Sequence, residues 1–234
     1  MTQLAVRTEQ TAFRPVGRVP SLDVVDAADR SPLSRLFARR TAQTSFPRGK
    51  TLFMEGDTAD TIFEIVSGVV RCYALSEDGQ RQIFKFVGAG EMLGLAAMDE
   101  FRYSSEAVDD VVVRACPRME FELALSWDPD LQGELRRLIC VELLQREQHM
   151  VMLTHMDSFQ RLQWFLEGFA GTARAAADGF IRLPMPRHDI GDFLGLTMET
   201  VSRMFSALRK EEYIDMPRSD RYRFCAGYCH DRLV

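Results

Sequence analysis

Glu199, Ser202 and Arg203 lie at i, i+3 and i+4 and would share one face of a helix. An acceptor, a hydroxyl and a guanidinium fork projecting together suit the floor of a DNA major groove. Arg pairs with guanine O6 and N7, and Glu accepts from cytosine N4. Such a triplet also occurs on ordinary solvated helices, so its surroundings decide. Thr197 stands at an N-cap position, its hydroxyl placed to accept from the first free N–H groups of the helix. Val201, Phe205 and Leu208 at i, i+4 and i+7 give the opposite face an apolar stripe. Upstream, Ile190, Phe193 and Leu194 mark a shorter helix, and Gly195 supplies the positive φ that a sharp exit needs. The stretch Arg187 to Tyr213 therefore reads as a helix-turn-helix with its second helix against the bases.

The flanks complete a unit. Phe180 to Leu183 is a short strand, and Tyr213 to Met216, a polar turn Pro217 to Asp220, and Arg221 to Cys225 make a hairpin. A helix-turn-helix followed by such a hairpin is a winged helix. Arg187, Arg203, Arg209, Lys210, Arg218, Arg221 and Arg223 supply a local basic surface.

The chain has 234 residues and a net charge of -5, which argues against non-specific coating of nucleic acid. The charge is uneven: residues 172–234 hold 10 Lys and Arg against 9 Asp and Glu, and the remainder holds 19 against 25. No stretch approaches the roughly 20 apolar residues of a membrane span, and no apolar signal core opens the chain. A cytoplasmic protein is the default expectation. Five cysteines at irregular spacing do not resemble a disulfide framework.

Residues 1–30 are polar and without periodicity and read as a mobile N-terminal tail. Ser31 to Arg40 is an amphipathic helix with Leu33, Leu36 and Phe37 on one face. From Thr44 to Phe121, short β-rich runs alternate with Gly49, Gly56, Gly68, Gly79 and Gly90, the pattern of an all-β sandwich or barrel. Its expected core is Phe53, Ile62, Phe63, Ile65, Val70, Ile83, Phe84 and Phe86. Residues 117–156 turn helical. The strips Leu135, Leu138, Ile139, Leu143 and Val141, Leu144, Val151 cover a wider arc than one core face needs. A helix with two apolar faces packs on two things, here its own β domain and a second copy, as a parallel coiled coil. Leu138, Val141, Leu144 and Val151 are the candidate dimer residues. Asp157 and Ser158 cap a further helix from Phe159 to Phe169. The expected fold class is α+β, with a β-roll over 31–126, a dimerisation helix over 127–156 and a winged-helix domain over 157–234.

This order resembles the Crp/Fnr family of transcription regulators over about residues 30–230. The roll motif is FPRGKTLFMEGDTADTIFEIVSGVVRCY followed by GAGEMLGLAAM, and the reader motif is LGLTMETVSR. Within the family, Glu199-Thr-Val-Ser-Arg203 is similar to the Fnr/FixK branch. The resemblance implies a homodimeric activator that recruits RNA polymerase and reads an inverted repeat close to TTGAT-N4-ATCAA. It assigns base contacts to Glu199, Ser202 and Arg203, and backbone contacts to Arg187, His188, Thr197 and Thr200. Two departures limit it. Relatives that bind cyclic nucleotide hold the phosphate with a Gly-Glu pair and a later Arg-Ser/Thr pair, where this chain has Gly94-Leu95 and an Arg102 out of register. Oxygen-sensing relatives hold an iron–sulfur cluster through N-terminal cysteines, and this chain has none before Cys72. A FixK-like regulator without a cofactor is the expectation. The rivals are an effector-gated regulator of the same kind and a cyclic-nucleotide-binding module acting on a protein partner.

No catalytic constellation stands out, and an enzyme is not expected. Glu55 and Asp57 flank a turn glycine. Cys225, Cys229 and His230 lack a fourth zinc ligand, so no metal is expected. Cys225 follows Arg221 and Arg223 and is a candidate redox-sensitive thiol.

Overall fold

The structure is a computed structural model that describes residues 31–95, 99–172 and 175–225. The expected tail over 1–30, and Cys229 and His230, lie outside the described residues. Helix α1 (Pro32–Arg40) opens with Ser31 accepting from the Ser34 N–H, and Leu33 and Phe37 are buried.

Eight strands follow: β1 (Gln43–Phe46), β2 (Thr51–Phe53), β3 (Thr61–Ser67), β4 (Val70–Leu75), β5 (Arg81–Val87), β6 (Met92–Leu93), β7 (Ser104–Ala107) and β8 (Val111–Pro117). They form two antiparallel sheets, ordered β1-β8-β3-β6 and β2-β7-β4-β5. Phe53, Phe63, Ile65 and Val70 meet Leu93, Phe101 and Val113 in the roll core, with the Phe53 and Phe101 rings stacked at 3.7 Å. The single expected core divides, because successive side chains of a strand point to opposite faces. Ile62 turns to the cluster of Leu33, Phe37 and Phe121. Ile83 belongs to a third cluster with Phe165, Phe193 and Leu194, and Phe86 packs against it. The roll is thus apolar on the side that meets the C-terminal part of the chain.

The helical stretch after the roll is two helices, α2 (Arg118–Trp127) and α3 (Pro129–His155). They break at Asp128, whose extended backbone (φ -123°, ψ 103°) and side chain cap α3 by accepting from the Asp130 and Leu131 N–H groups. Pro129 fits the first helical position, where no N–H is needed. One side of α3 packs inward: Leu131, Leu135 and Leu138 join the α1 cluster, and Met152 joins the C-terminal one. The other side leaves Ile139, Leu143 and Met150 uncovered, at 52%, 57% and 61% exposure, with Leu144 beside them at 46%. Of the expected dimer residues, Leu138 packs against its own chain, Val141 and Val151 are half-buried, and Leu144 is exposed.

The C-terminal part comprises α4 (Ser158–Thr172), β9 (Ile181–Arg182), α5 (Arg187–Leu194), α6 (Met198–Lys210), β10 (Ile214–Arg218) and β11 (Arg221–Phe224). Asp157 caps α4 by accepting from the Phe159 and Gln160 N–H groups. The three strands are ordered β10-β11-β9. The hairpin turn is tighter than expected, since β10 runs through Pro217 to Arg218. An edge strand tolerates Pro, whose missing N–H costs no ladder bond on the open side.

The turn between α5 and α6 rests on two glycines. Gly195 is left-handed (φ 64°, ψ 40°). Gly191 lets the chain fold back on itself, because a Cβ there would lie 2.5 Å from the Leu196 carbonyl oxygen. Gly191→Ala is expected to lower stability by about 1–3 kcal/mol through overpacking, read as a lower urea midpoint with an unchanged slope.

Candidate nucleic-acid interface

The interface is built on α6. Thr197 caps it, its hydroxyl accepting from the Thr200 N–H at 3.3 Å. Val201, Phe205 and Leu208 are buried beneath it, as the spacing requires. Glu199, Ser202 and Arg203 are all exposed on the outer face. Hydrogen bonds from its own backbone N–H and from Thr197, with the Arg203 charge, hold the Glu199 carboxyl below its ordinary range, so it stands ionised as an acceptor. Ser202 donates its proton to the Met198 carbonyl at 2.9 Å, which leaves its oxygen to accept. Arg203 donates one N–H to the Thr200 hydroxyl at 3.1 Å, and this bond orients a side chain with five donors.

The backbone-contact candidates separate. Thr197 and Thr200 sit at the mouth of α6. His188 is exposed, with Nε2 3.1 Å from Asp189. Arg187 is turned inward. Its guanidinium lies 3.3 Å from the centre of the Phe205 ring, and it donates to the Met216 sulfur. Burial pulls it down to about 10, still charged near neutral pH. Arg187 is therefore a stacking partner beneath the reader helix. Of the other basic residues, Arg221 and Arg223 lie over the Phe180 ring and pair with Asp178 and Asp215. Arg203, Arg209, Lys210 and Arg218 are exposed. Cys225 is half-buried just after β11, and Arg221 and Arg223, which precede it in sequence, already hold carboxylates. Among the described residues, no three His, Cys, Asp or Glu side chains converge as a metal would need.

A second group of side chains, not read from the sequence, fixes this interface to the roll. Asp189 is fully buried and accepts from Arg71 and Arg81 at 2.5 Å each. Arg71 also holds Glu106, and Arg81 holds Asp192 at 2.8 Å. The end of α5 is met by three outside donors. Gln82 donates to the Asp192 carbonyl at 2.5 Å, Arg161 donates to that of Leu194 at 3.0 Å, and His149 Nε2 lies 2.9 Å from that of Phe193. Burial lowers the His149 pKa, which favours a neutral ring donating Nε2–H. Its ring stacks on Phe193 at 4.3 Å. The sequence signal for this group was slight: two acidic residues, Asp189 and Asp192, in a helix of eight.

A cavity of about 10 Å³, one water at most, is lined by Phe84, Lys85, Leu93, Tyr103 and Glu142. Lys85 donates to Glu142 of α3 at 3.0 Å, and Arg146 holds the same carboxylate while lying over the Phe84 ring. Burial depresses Lys85, but Glu91 and Glu142 more than offset it, so its pKa is raised and the ammonium persists. Arg102 is exposed, away from this centre.

A capped helix displaying three exposed polar groups, followed by a hairpin wing and fixed to a jelly roll, is the arrangement of a DNA-binding transcription regulator of the helix-turn-helix class. Residues 43–126 match the cyclic nucleotide-binding domain model, and residues 183–214 match that of the bacterial regulatory proteins, crp family. The nitrogen fixation regulation protein FixK of Azorhizobium caulinodans is 36% identical, over 83% of this chain and 80% of that protein. Its namesake in Bradyrhizobium diazoefficiens is 32% identical, over 85% and 82%. The solved structure of FixK2 from Bradyrhizobium japonicum superposes with a TM-score of 0.74 at 33% identity, covering 79% of this chain and 92% of that one. The chain belongs to the Crp family, in the company of FixK proteins. It is a regulator of transcription and not an enzyme, and regulators of this family bind DNA and are dimers.

Arg203→Ala is expected to weaken binding by about 1–3 kcal/mol per half-site and to relax preference at the contacted guanine. Titration against the preferred site and its guanine variants measures both effects.

Proposed function

We propose that this protein is a homodimeric activator that reads an inverted repeat similar to TTGAT-N4-ATCAA and binds without a small-molecule effector. The carrying observation is the outward display of Glu199, Ser202 and Arg203 on a capped α6. The relatives named as transcriptional activators, FnrA of Stutzerimonas stutzeri among them, support the direction of control. Glu199, Ser202 and Arg203 contact bases, and His188, Thr197 and Thr200 contact phosphates. Activation proceeds by recruiting RNA polymerase in the cytoplasm. The effector-free part rests on the roll centre, where aromatic rings and the Lys85–Glu142 pair occupy the space and join roll to central helix. A phosphate buried there would need charge-assisted donors to replace its hydration, and Leu95 is not one.

Selection of bound DNA from random sequence, with and without cAMP or cGMP, tests the reading. The expected outcome is the same inverted repeat in both arms at equal affinity. A tenfold gain with either nucleotide overturns the effector-free part, and a site without two-fold symmetry overturns the dimeric reader.

The dimer seam is assigned to the uncovered stripe Ile139, Leu143 and Met150, with Leu144 at its flank. Leu143→Glu would bury an unpartnered charge in that seam. Sedimentation is expected to show a folded monomer whose affinity for the full repeat collapses.

A further inference from the structure

The helix beneath the reader is held by groups from the roll, the central helix and α4. At its start, the Asp189 carboxylate is 0% exposed and lies between the guanidinium groups of Arg71 on β4 and Arg81 on β5. His188, Glu106 and Asp192 complete the charged groups of this site. At its end, β5, α3 and α4 each supply a partner to one of three successive carbonyls. A helix leaves its last four C=O groups unsatisfied, so these contacts remove a cost as well as fastening the helix. The roll and the reader helix are thus tied through α5 by ions as well as apolar packing.

We propose that Asp189, Arg71 and Arg81 are positioning residues for DNA binding, and that their buried ion pairs set the separation and phase of the two reader helices. The inference rests on the inverted-repeat reading above. In a two-fold dimer, any tilt of α5 on the roll appears twice, once in each half. Two readers must enter successive major grooves about 34 Å apart. One added base pair moves a half-site by about 3.4 Å and turns it by roughly 34° around the duplex. A reader held by paired charges cannot follow that change, and one held by apolar contact alone can. Spacer length then becomes a property that the protein discriminates, through residues that never touch DNA.

The experiment uses the full chain and duplexes carrying the selected repeat with its own spacer, with one base pair fewer and one more, and with a single half-site. Wild type, Asp189→Asn, Arg81→Gln and the conservative Asp189→Glu are compared by fluorescence anisotropy, with a thermal melt of each. Wild type is expected to lose about tenfold or more when the spacer changes by one. Asp189→Asn and Arg81→Gln are expected to weaken on the native spacer while keeping wild-type affinity for the half-site, so that discrimination falls below about threefold. Asp189→Glu, which keeps the charge, is expected to restore part of it. The inference is overturned if both neutral variants keep the wild-type spacer preference. It is equally overturned if they lose the same factor on every duplex, half-site included, which marks a general loss of fold. A wild type indifferent to spacer length overturns the inference too, whereas a wild type that binds the repeat no more tightly than the half-site overturns the inverted-repeat reading itself and is thereby told apart.

Discussion

A carboxylate buried away from water must be paired, because the cost of desolvating it alone is prohibitive. Asp189 meets that condition with two arginines from the roll, and much of the molecule's geometry follows. With α5 fixed to β4 and β5, its apolar face settles against Ile83 and Phe86, and the C-terminal cluster closes around Phe165, Phe193 and Leu194. The tight exit through Gly191 and Gly195 then leaves α6 one direction, with Phe205 inside and Arg203 outside. Arg187, stacked over Phe205, fills the gap between the two helices from beneath. The reader is exposed because the helix under it is not.

The parts of this arrangement that were legible in the sequence are those decided within a few residues. Thr197, Gly195 and the Val201, Phe205, Leu208 stripe are local rules, and each appears where expected. The cap at Asp157 belongs with them. The Asp189 pairs join residues 118 and 108 positions apart. No local pattern marks such partners, and an acidic residue in the first turn of a helix already has an ordinary explanation in the helix dipole. Arg187 shows the same limit from the other side. An arginine ahead of a reader helix suggests a phosphate contact, and only the fold brings the Phe205 ring under it. In α3 the apolar residues were found and drawn as two strips, with Leu138, Val141, Leu144 and Val151 named for the dimer, but the strips do not coincide with the packed and bare sides. Its surface is apolar over too wide an arc for periodicity to say that Leu138 serves its own chain while Ile139 and Leu143 stay bare.

The described centre of the roll is crowded with rings. Phe53, Phe101, Tyr103 and Phe84 stand in edge and stacked contact across the centre. Cys72 lies fully buried in the same core, its thiol pushed up to about 12 by the apolar surroundings and thus inert as a nucleophile. The Lys85–Glu142–Arg146 chain carries the connection from roll to central helix.

A frame this firmly braced alters which partner gives way when the two meet. Smooth bending of a short DNA site costs on the order of 1–6 kcal/mol, depending on its sequence. If the protein is the stiffer body, any mismatch in curvature or twist is absorbed by the duplex, most easily at pyrimidine–purine steps. The central base pairs of a site, far from Glu199 and Arg203, then acquire a preference of their own through the ease with which they deform. Tightly held carbonyls at the end of an eight-residue helix would in this way be written into the base composition of promoters.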